Sequence, residues 1–212
     1  MPELYLNRGS KLEVVEEMKL VGYQLRTDLR TISNTNYIVA RAWKRMWIVR
    51  RLKALGAREH DLLKVLRAQV LSVLQFASPA WSTLITALES ARIESVLKTG
   101  LFLVYGPRDK SFFWALREAK MSSLEYQRTR QFERFTQNCI KNKKFQNWFE
   151  RTKDSTEGVA TRRRKPRFKP VQTRTAAYSR SAIPQMVMVA NSQYKKEAQT
   201  RITLNSGQIL IF

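Results

Sequence analysis

The feature of this sequence that most constrains its fold is a three- and four-residue spacing of apolar side chains, which recurs in three successive segments. This spacing gathers the apolar side chains on one face of an α-helix. The first segment covers residues 37–55, follows N-cap candidates at 33–36 and stops at Gly56. Trp43 and Trp47, which lie among cations, are each predicted to be core residues. The rest of the predicted buried face comprises Ile38, Ala42, Met46, Val49 and Leu52.

The second and third segments predict two more helices, over residues 59–76 and 86–103. The second helix ends at Ser78-Pro79, because proline cannot continue a helix and disfavours the helical conformation just before it. Both segments are nearly neutral in charge, so we expect them to supply the core of a helical bundle. Their predicted buried residues are Leu62, Leu66, Val70, Val73 and Ala77, followed by Leu88, Ile93, Leu97 and Leu101.

Upstream of the bundle, two short runs rich in apolar and β-branched residues flank the acidic pair Glu16-Glu17. The runs lie at 12–15 and 20–25, and they predict a β-hairpin that turns at the acidic pair. Glycine within a strand marks a bulge or a close backbone approach, which is the role predicted for Gly22. Because Glu-Glu is a poor turn pair, a helix over this segment stays an alternative.

Downstream of the bundle, two further helices are predicted over 112–120 and 123–151, and the second is rich in Arg and Lys. From residue 153 the apolar periodicity gives way to Thr, Ser, Gly, Pro and Arg, apart from one short packed element at 183–190. The predicted fold is therefore mainly α, with a short N-terminal β-hairpin, a helical bundle, a further basic helix and a largely irregular, partly disordered basic C-terminal tail. These segments are 1–30, 31–106, 107–153 and 154–212.

The balance of charge indicates a polyanionic partner. The chain has 39 Lys and Arg against 17 Asp and Glu, a formal net charge of +22 over 212 residues. Small soluble domains usually carry a net charge of about 2–8, and a larger excess destabilises a compact state by self-repulsion. Nucleic acid is the first candidate and an anionic membrane surface the second. We expect no membrane partner, because the cations and apolar faces do not form one long amphipathic helix. No membrane span is expected, because the most apolar stretch, 62–77, is interrupted by Lys64, Arg67 and Gln69.

Catalytic and metal-binding groups are sparse. The single cysteine, Cys139, and the single histidine, His60, cannot form a Cys/His metal cage, and no phosphate-binding glycine loop is present. His60 beside Asp61 and Cys139 among lysines are predicted to be a surface histidine and a half-buried thiol. We therefore expect no catalytic site, no metal, no cofactor and a reducing intracellular location, nuclear or cytoplasmic. The four aspartates are dispersed: Asp28, Asp61, Asp109 and Asp154.

Two clusters of cations are the candidate nucleic-acid-binding residues. Cations beside aromatic side chains suit a nucleic acid, since Arg and Lys contact phosphates while rings lie on sugars or bases. The first cluster lies on the 37–55 helix and comprises Arg41, Lys44, Arg45, Arg50, Arg51 and Lys53. The second lies in the tail, where it can equally be a nuclear-targeting signal, and comprises Arg162, Arg163, Arg164 and Lys165.

Several motifs in a fixed order resemble the carboxy-terminal part of reverse transcriptases of non-LTR retrotransposons. In chain order these motifs are LEVVEEMKLVGYQL, SNTNYIVARAWKRMWIVRRLKALGA, DLLKVLRAQVLSVLQFASPAW and ALESARIESVLKTGLFLVYG, and the resemblance covers about residues 3–190. It implies that the hairpin with Lys19 and Gly22 is a primer grip, that helices 37–105 form a thumb lying against a template–primer duplex, and that the remainder is post-thumb.

The resemblance also implies that this sequence lacks the catalytic part of the family. The family's fingers and palm would lie before Met1, and its metal-binding aspartates have no counterpart in this chain. We therefore expect a fragment of an RNA-directed DNA polymerase from a transposable element, not an enzyme on its own, that binds RNA–DNA or DNA duplex, or RNA. Two alternatives stay open: a basic RNA-binding assembly protein of ribosomal type, and an accessory part of a polymerase whose catalytic domains are on a separate chain.

Overall fold

The computed structural model describes residues 15–106, 111–152 and 166–205, with side chains of the last segment described as far as Tyr194. It confirms that the described residues are mainly helical and that a two-stranded antiparallel hairpin precedes the helices. The described residues form two compact units. The N-terminal unit contains 15–74 and 85–106, and the C-terminal unit contains 75–84, 111–152 and 166–205.

The helices follow one another along the chain, with two non-α stretches among them. They are α1 Ile32–Ala54, α2 Glu59–Val65, a π-helical stretch Leu66–Leu71, α3 Ser72–Gln75, α4 Ser78–Trp81, α5 Ala87–Tyr105, α6 Phe112–Glu118, α7 Leu124–Lys141, a 3-10 helix Lys143–Trp148, α8 Ala176–Arg180 and α9 Ala182–Asn205.

The hairpin pairs β1, Glu17–Leu20, with β2, Tyr23–Arg26. Its turn is Val21-Gly22, with φ of 48° and 87°, so the predicted turn at Glu16-Glu17 is wrong. Two-residue hairpin turns of this kind need positive φ at both central positions, because that twist matches the twist of the strands. Gly22 is therefore the second turn residue, where glycine adopts positive φ without strain, and not a bulge.

The N-terminal unit has its core where α1, the π-helical stretch and α5 meet. The first four residues of the predicted stripe of α1 are buried, as are Leu62, Leu66, Val70 and Val73. Gly100 of α5 allows the closest approach, since a Cβ at that position would lie 2.6 Å from Leu66 Cδ1. The sequence motif of apolar spacing thus identifies most of this core correctly.

Three predicted core residues are exposed. Trp47 is 64% exposed, and it lies one residue, about 100°, around α1 from the buried Met46. Leu88 is 74% exposed, because it precedes Ile93 by five residues and so lies about 140° away from the buried face of α5. Ala77 is exposed at φ 50°, beyond the end of α3.

The C-terminal unit is built around α7, the 3-10 helix and α9. The predicted helix 123–151 is shorter than expected, because Asn142 adopts an extended conformation and its Oδ1 accepts a hydrogen bond from the Lys144 amide at 3.0 Å. In the tail, α8 and α9 are helical, and the predicted element 183–190 lies inside α9. The buried cluster of this unit comprises Phe132, Cys139, Phe149, Phe168, Met186, Val187 and Ala190.

Candidate nucleic-acid interface

The carboxylate of Glu17 fastens the hairpin to the start of α1. Its Oε1 accepts hydrogen bonds from Ser33 Oγ at 2.8 Å and from Arg26 Nη1 at 2.5 Å. The bond from Ser33, followed by that from Arg26, lowers the pKa of Glu17 below its usual value. Alternate residues of a strand share a face, so the side chain of Lys19 points to the same side as that of Glu17. Lys19 is therefore directed toward α1.

Two cations from different elements meet at the ring of Tyr37. Lys19 Nζ lies 5.0 Å from the ring centroid, and Arg41 Cζ lies 5.3 Å from it. Both distances are within the range of a cation–π interaction. Arg41 also donates a hydrogen bond from Nη1 to the Tyr37 hydroxyl at 3.1 Å. The hydrogen bond from Lys19, reinforced by the Arg41 charge, lowers the pKa of the Tyr37 hydroxyl.

The same side of α1 carries more cations. Lys44 and Arg51 follow Tyr37 by seven and fourteen residues, so they align with Arg41 along the side opposite the core. We call Lys19, Tyr37, Arg41, Lys44 and Arg51 the basic stripe. It runs for about 21 Å along α1 at 1.5 Å per residue. Arg41, Lys44 and Arg51 are exposed, and no described carboxylate forms an ion pair with them.

The other three predicted cations of α1 do not belong to the basic stripe. Arg45 donates Nη1 to the Gln69 carbonyl at 3.1 Å, and Lys53 donates Nζ to the Leu103 carbonyl. These two side chains therefore connect α1 to the π-helical stretch and to α5. Arg50 is exposed, but it lies about 120° around the helix from Lys44 and so outside the basic stripe.

Among the remaining predicted binding residues, only Gly22 belongs to the described part of the chain. Gly22 is a turn residue, and it sets the hairpin geometry that directs Lys19. The tail cations Arg162, Arg163, Arg164 and Lys165 lie outside the described residues. Exposed Trp47 flanks the stripe, about 60° from Lys44, so the prediction that it is a core residue is wrong.

Sequence reasoning missed the group that anchors this surface, the buried carboxylate of Glu89. Its Oε1 accepts from the hydroxyls of Thr31 at 2.9 Å and Thr35 at 3.2 Å, and its Oε2 accepts from the backbone and hydroxyl of Thr86, both at 2.8 Å. The carboxylate thereby joins the start of α1 to the start of α5. The Thr86-x-x-Glu89 spacing is a capping box, and it is the signal that could have identified this residue.

The two side chains that the sequence offers for catalysis, His60 and Cys139, differ in burial: one is exposed and the other is buried. His60 is exposed, with Nδ1 3.5 Å from Asp61 Oδ1, and Cys139 is buried, which raises the pKa of its thiol. Activation of that thiol by nearby lysines is therefore not favoured. Among the described residues, no group of three or more His, Cys, Asp or Glu side chains could hold a metal ion. Asp109 and Asp154 lie outside that part of the chain.

Comparison with known proteins gave no relative. A scan against protein-family models matched no family, and searches of curated proteins and of solved structures found no match. In the part of the chain that the structure describes, every helix is too short or too polar to cross a membrane.

Proposed function

We propose that the basic stripe binds the phosphate backbone of a nucleic-acid duplex, and that an RNA–DNA template–primer duplex is its ligand. The observation that carries this proposal is the convergence of Lys19 and Arg41 on Tyr37, in line with exposed Lys44 and Arg51. Four cations then face one direction from a hairpin and a helix that are joined to each other.

Electrostatics favours a duplex as the partner of this surface. A DNA duplex carries one negative charge per about 1.7 Å of its axis, so a stripe about 21 Å long faces several phosphates at once. Phosphate contacts of this kind fix the position of a protein on a duplex without reading its sequence. The stripe is therefore expected to bind duplexes of different sequence with similar affinity.

Rigidity of the stripe reduces the cost of binding. Tyr37 already holds the side chains of Lys19 and Arg41 in the free protein, so less conformational entropy is lost when they contact phosphates. The start of α1 is fixed by Glu89, and its middle is held by the fully buried Met46. These contacts keep the cations aligned along one side of the helix.

The same interpretation includes the origin of the chain, which we infer to be the primer-grip, thumb and post-thumb part of a non-LTR retrotransposon reverse transcriptase. The ordered sequence motifs support this origin, and so does a hairpin whose Lys19 lies next to the basic helix. On this proposal the chain has no polymerase activity of its own. Primer extension by the purified chain with Mg²⁺ or Mn²⁺ would contradict that part of the proposal.

Duplex binding is tested by fluorescence anisotropy with a labelled RNA–DNA hybrid. The test variant replaces Arg41, Lys44 and Arg51 with Ala, and we expect its affinity to fall at least about 40-fold at about 50 mM salt because three phosphate contacts are lost.

The matched control replaces three exposed cations of the same unit that lie outside α1, namely Arg58, Arg92 and Lys98. It changes the net charge equally, so it should lose far less affinity. Equal losses in the two variants would mean that net charge alone, and not the stripe, attracts the duplex.

A further inference from the structure

The C-terminal unit carries a separate group of exposed cations in the same short segment as an aromatic pair. The segment 141–148, KNKKFQNW, contains the end of α7 and the 3-10 helix. Its three lysines, Lys141, Lys143 and Lys144, are exposed, and none forms an ion pair with a described carboxylate. Residues 134–149 contain no Asp or Glu, so no acid in this stretch offsets the lysines.

The two rings of the aromatic pair differ in burial: Phe145 is packed within the unit, and Trp148 is partly exposed. The rings of Phe145 and Trp148 lie 4.7 Å apart between centroids, at an interplanar angle of 44°. Phe145 packs against the buried cluster of the unit, whereas Trp148 is 37% exposed. Trp148 therefore presents part of its indole to solvent while its neighbour fixes the position of the 3-10 helix.

The backbone places these side chains at the end of α7 and on the adjoining 3-10 helix. Asn142 ends α7 in an extended conformation and caps the 3-10 helix by accepting a hydrogen bond from the Lys144 amide, so Lys141 lies on α7 whereas Lys143 and Lys144 lie on the 3-10 helix. The side chains of Gln146 and Asn147 are also exposed on this short helix. Cations, amides and an indole thus occur within one short exposed segment.

We propose that segment 141–148 is a binding site for single-stranded nucleic acid. The lysines contact phosphates, Trp148 stacks on an unpaired base, and the amides of Gln146 and Asn147 hydrogen-bond to base edges. Stacking selects a single strand, because only an unpaired base exposes its face to an indole. The three lysines lie in the same short segment as a partly exposed indole, whereas the cations of the basic stripe follow α1 for about 21 Å, so the two surfaces suit different ligands.

This inference is independent of the duplex-binding proposal, and the two can fail separately. The experiment uses the full chain and a labelled oligothymidylate of about 12 nucleotides, a length within the range that single-strand sites occupy. Trp148→Ala should weaken binding by about 5- to 150-fold, the loss that removal of one stacked base typically causes. Trp148→Phe should retain most of the affinity, because a benzyl ring still stacks.

Charge is tested in the same assay with the double variant Lys143→Ala, Lys144→Ala. We expect it to reduce the slope of log affinity against log salt by about 1.4, since each phosphate contact with a single strand contributes about 0.7. The matched control is Arg174→Ala, Arg180→Ala, which removes two exposed cations from the same unit and should leave the slope nearly unchanged.

Three results would overturn the inference. The first is wild-type affinity of Trp148→Ala for the oligonucleotide, and the second is an equal change of the salt slope in the lysine variant and the arginine control. The third is binding of polyglutamate as tight as that of the oligonucleotide, which would identify an acidic protein segment as the partner. If Trp148→Ala unfolds, the lysine double variant and its arginine control still decide the question. The basic-stripe triple variant should bind the single strand normally, and Trp148→Ala should bind the duplex normally.

Discussion

Replacement of Glu89 by Ala should destabilise the N-terminal unit substantially, because one carboxylate satisfies donors from two helix starts. The substitution removes four hydrogen bonds, those from the hydroxyls of Thr31 and Thr35 and those from the backbone and hydroxyl of Thr86. Hydrogen bonds to charged groups contribute about 1.5–3 kcal/mol each at most, and the freed hydroxyls can rotate to other acceptors. We therefore expect a loss of about 2–4 kcal/mol in the free energy of unfolding.

The pH dependence of this loss gives the prediction its sharper test. Burial raises the pKa of Glu89, but the hydrogen bonds from Thr86, Thr31 and Thr35 outweigh it and hold the pKa below its usual value. A depressed pKa in the folded state stabilises the protein above the unfolded value of about 4.3, and this contribution disappears as the pH falls through the folded value. The difference between wild type and Glu89→Ala should therefore shrink below about pH 4.

The assay is urea unfolding followed by circular dichroism at neutral and acidic pH. Glu16→Ala is the matched control, because it also removes one carboxylate but from an exposed side chain, and it should change stability by less than about 0.5 kcal/mol. A Glu89 variant as stable as wild type at neutral pH would refute the reasoning, and so would a loss that does not vary with pH.

Three further substitutions test the packing and the backbone. Gly100→Ala should lower the melting temperature, because its Cβ would lie 2.6 Å from Leu66 Cδ1 in a buried position. The repacking cost of about 1–3 kcal/mol exceeds the roughly 0.5–1 kcal/mol that alanine gains over glycine within a helix, and a raised melting temperature would refute this close approach. Val21→Asn should raise the melting temperature, because asparagine tolerates the positive φ of 48° better than a β-branched residue, and a lower melting temperature would contradict the turn geometry. Asn191→Ala should cost about 1–3 kcal/mol, because its amide makes two 2.9 Å hydrogen bonds with the Phe168 backbone, and equal stability to wild type would count against that link.

The apolar spacing of the sequence predicts the three long helical segments because each must bury one face. It does not predict the turn of the hairpin, because Val21 and Gly22 lie within a run that matches a strand. Their positive φ is a property of the backbone that apolar spacing does not reveal. It also misplaces Leu88, because a residue in the first turn of a helix can point away from the core and still match part of the pattern.

The sequence likewise predicts the candidate site only in part. Composition predicts that α1 is basic, but it cannot tell which cations are available to a ligand. Arg45 and Lys53 contact backbone carbonyls of neighbouring elements, whereas Arg41 aligns with Lys44. The role of Tyr37 depends on Lys19, a residue eighteen positions earlier, and only the tertiary structure brings them together.

The central claim, that the basic stripe binds duplex phosphates, is tested most directly by the salt dependence of duplex affinity. For wild type and for the variant with Arg41, Lys44 and Arg51 replaced by Ala, log affinity is measured against log salt between about 50 and 200 mM. Each duplex phosphate contact contributes about 0.9 to the slope, so the variant should lose about 2.7, and the ratio of wild-type to variant affinity should fall about 40-fold across this range. Equal slopes for the two proteins would contradict the account, because they would mean that these three cations do not contact phosphates.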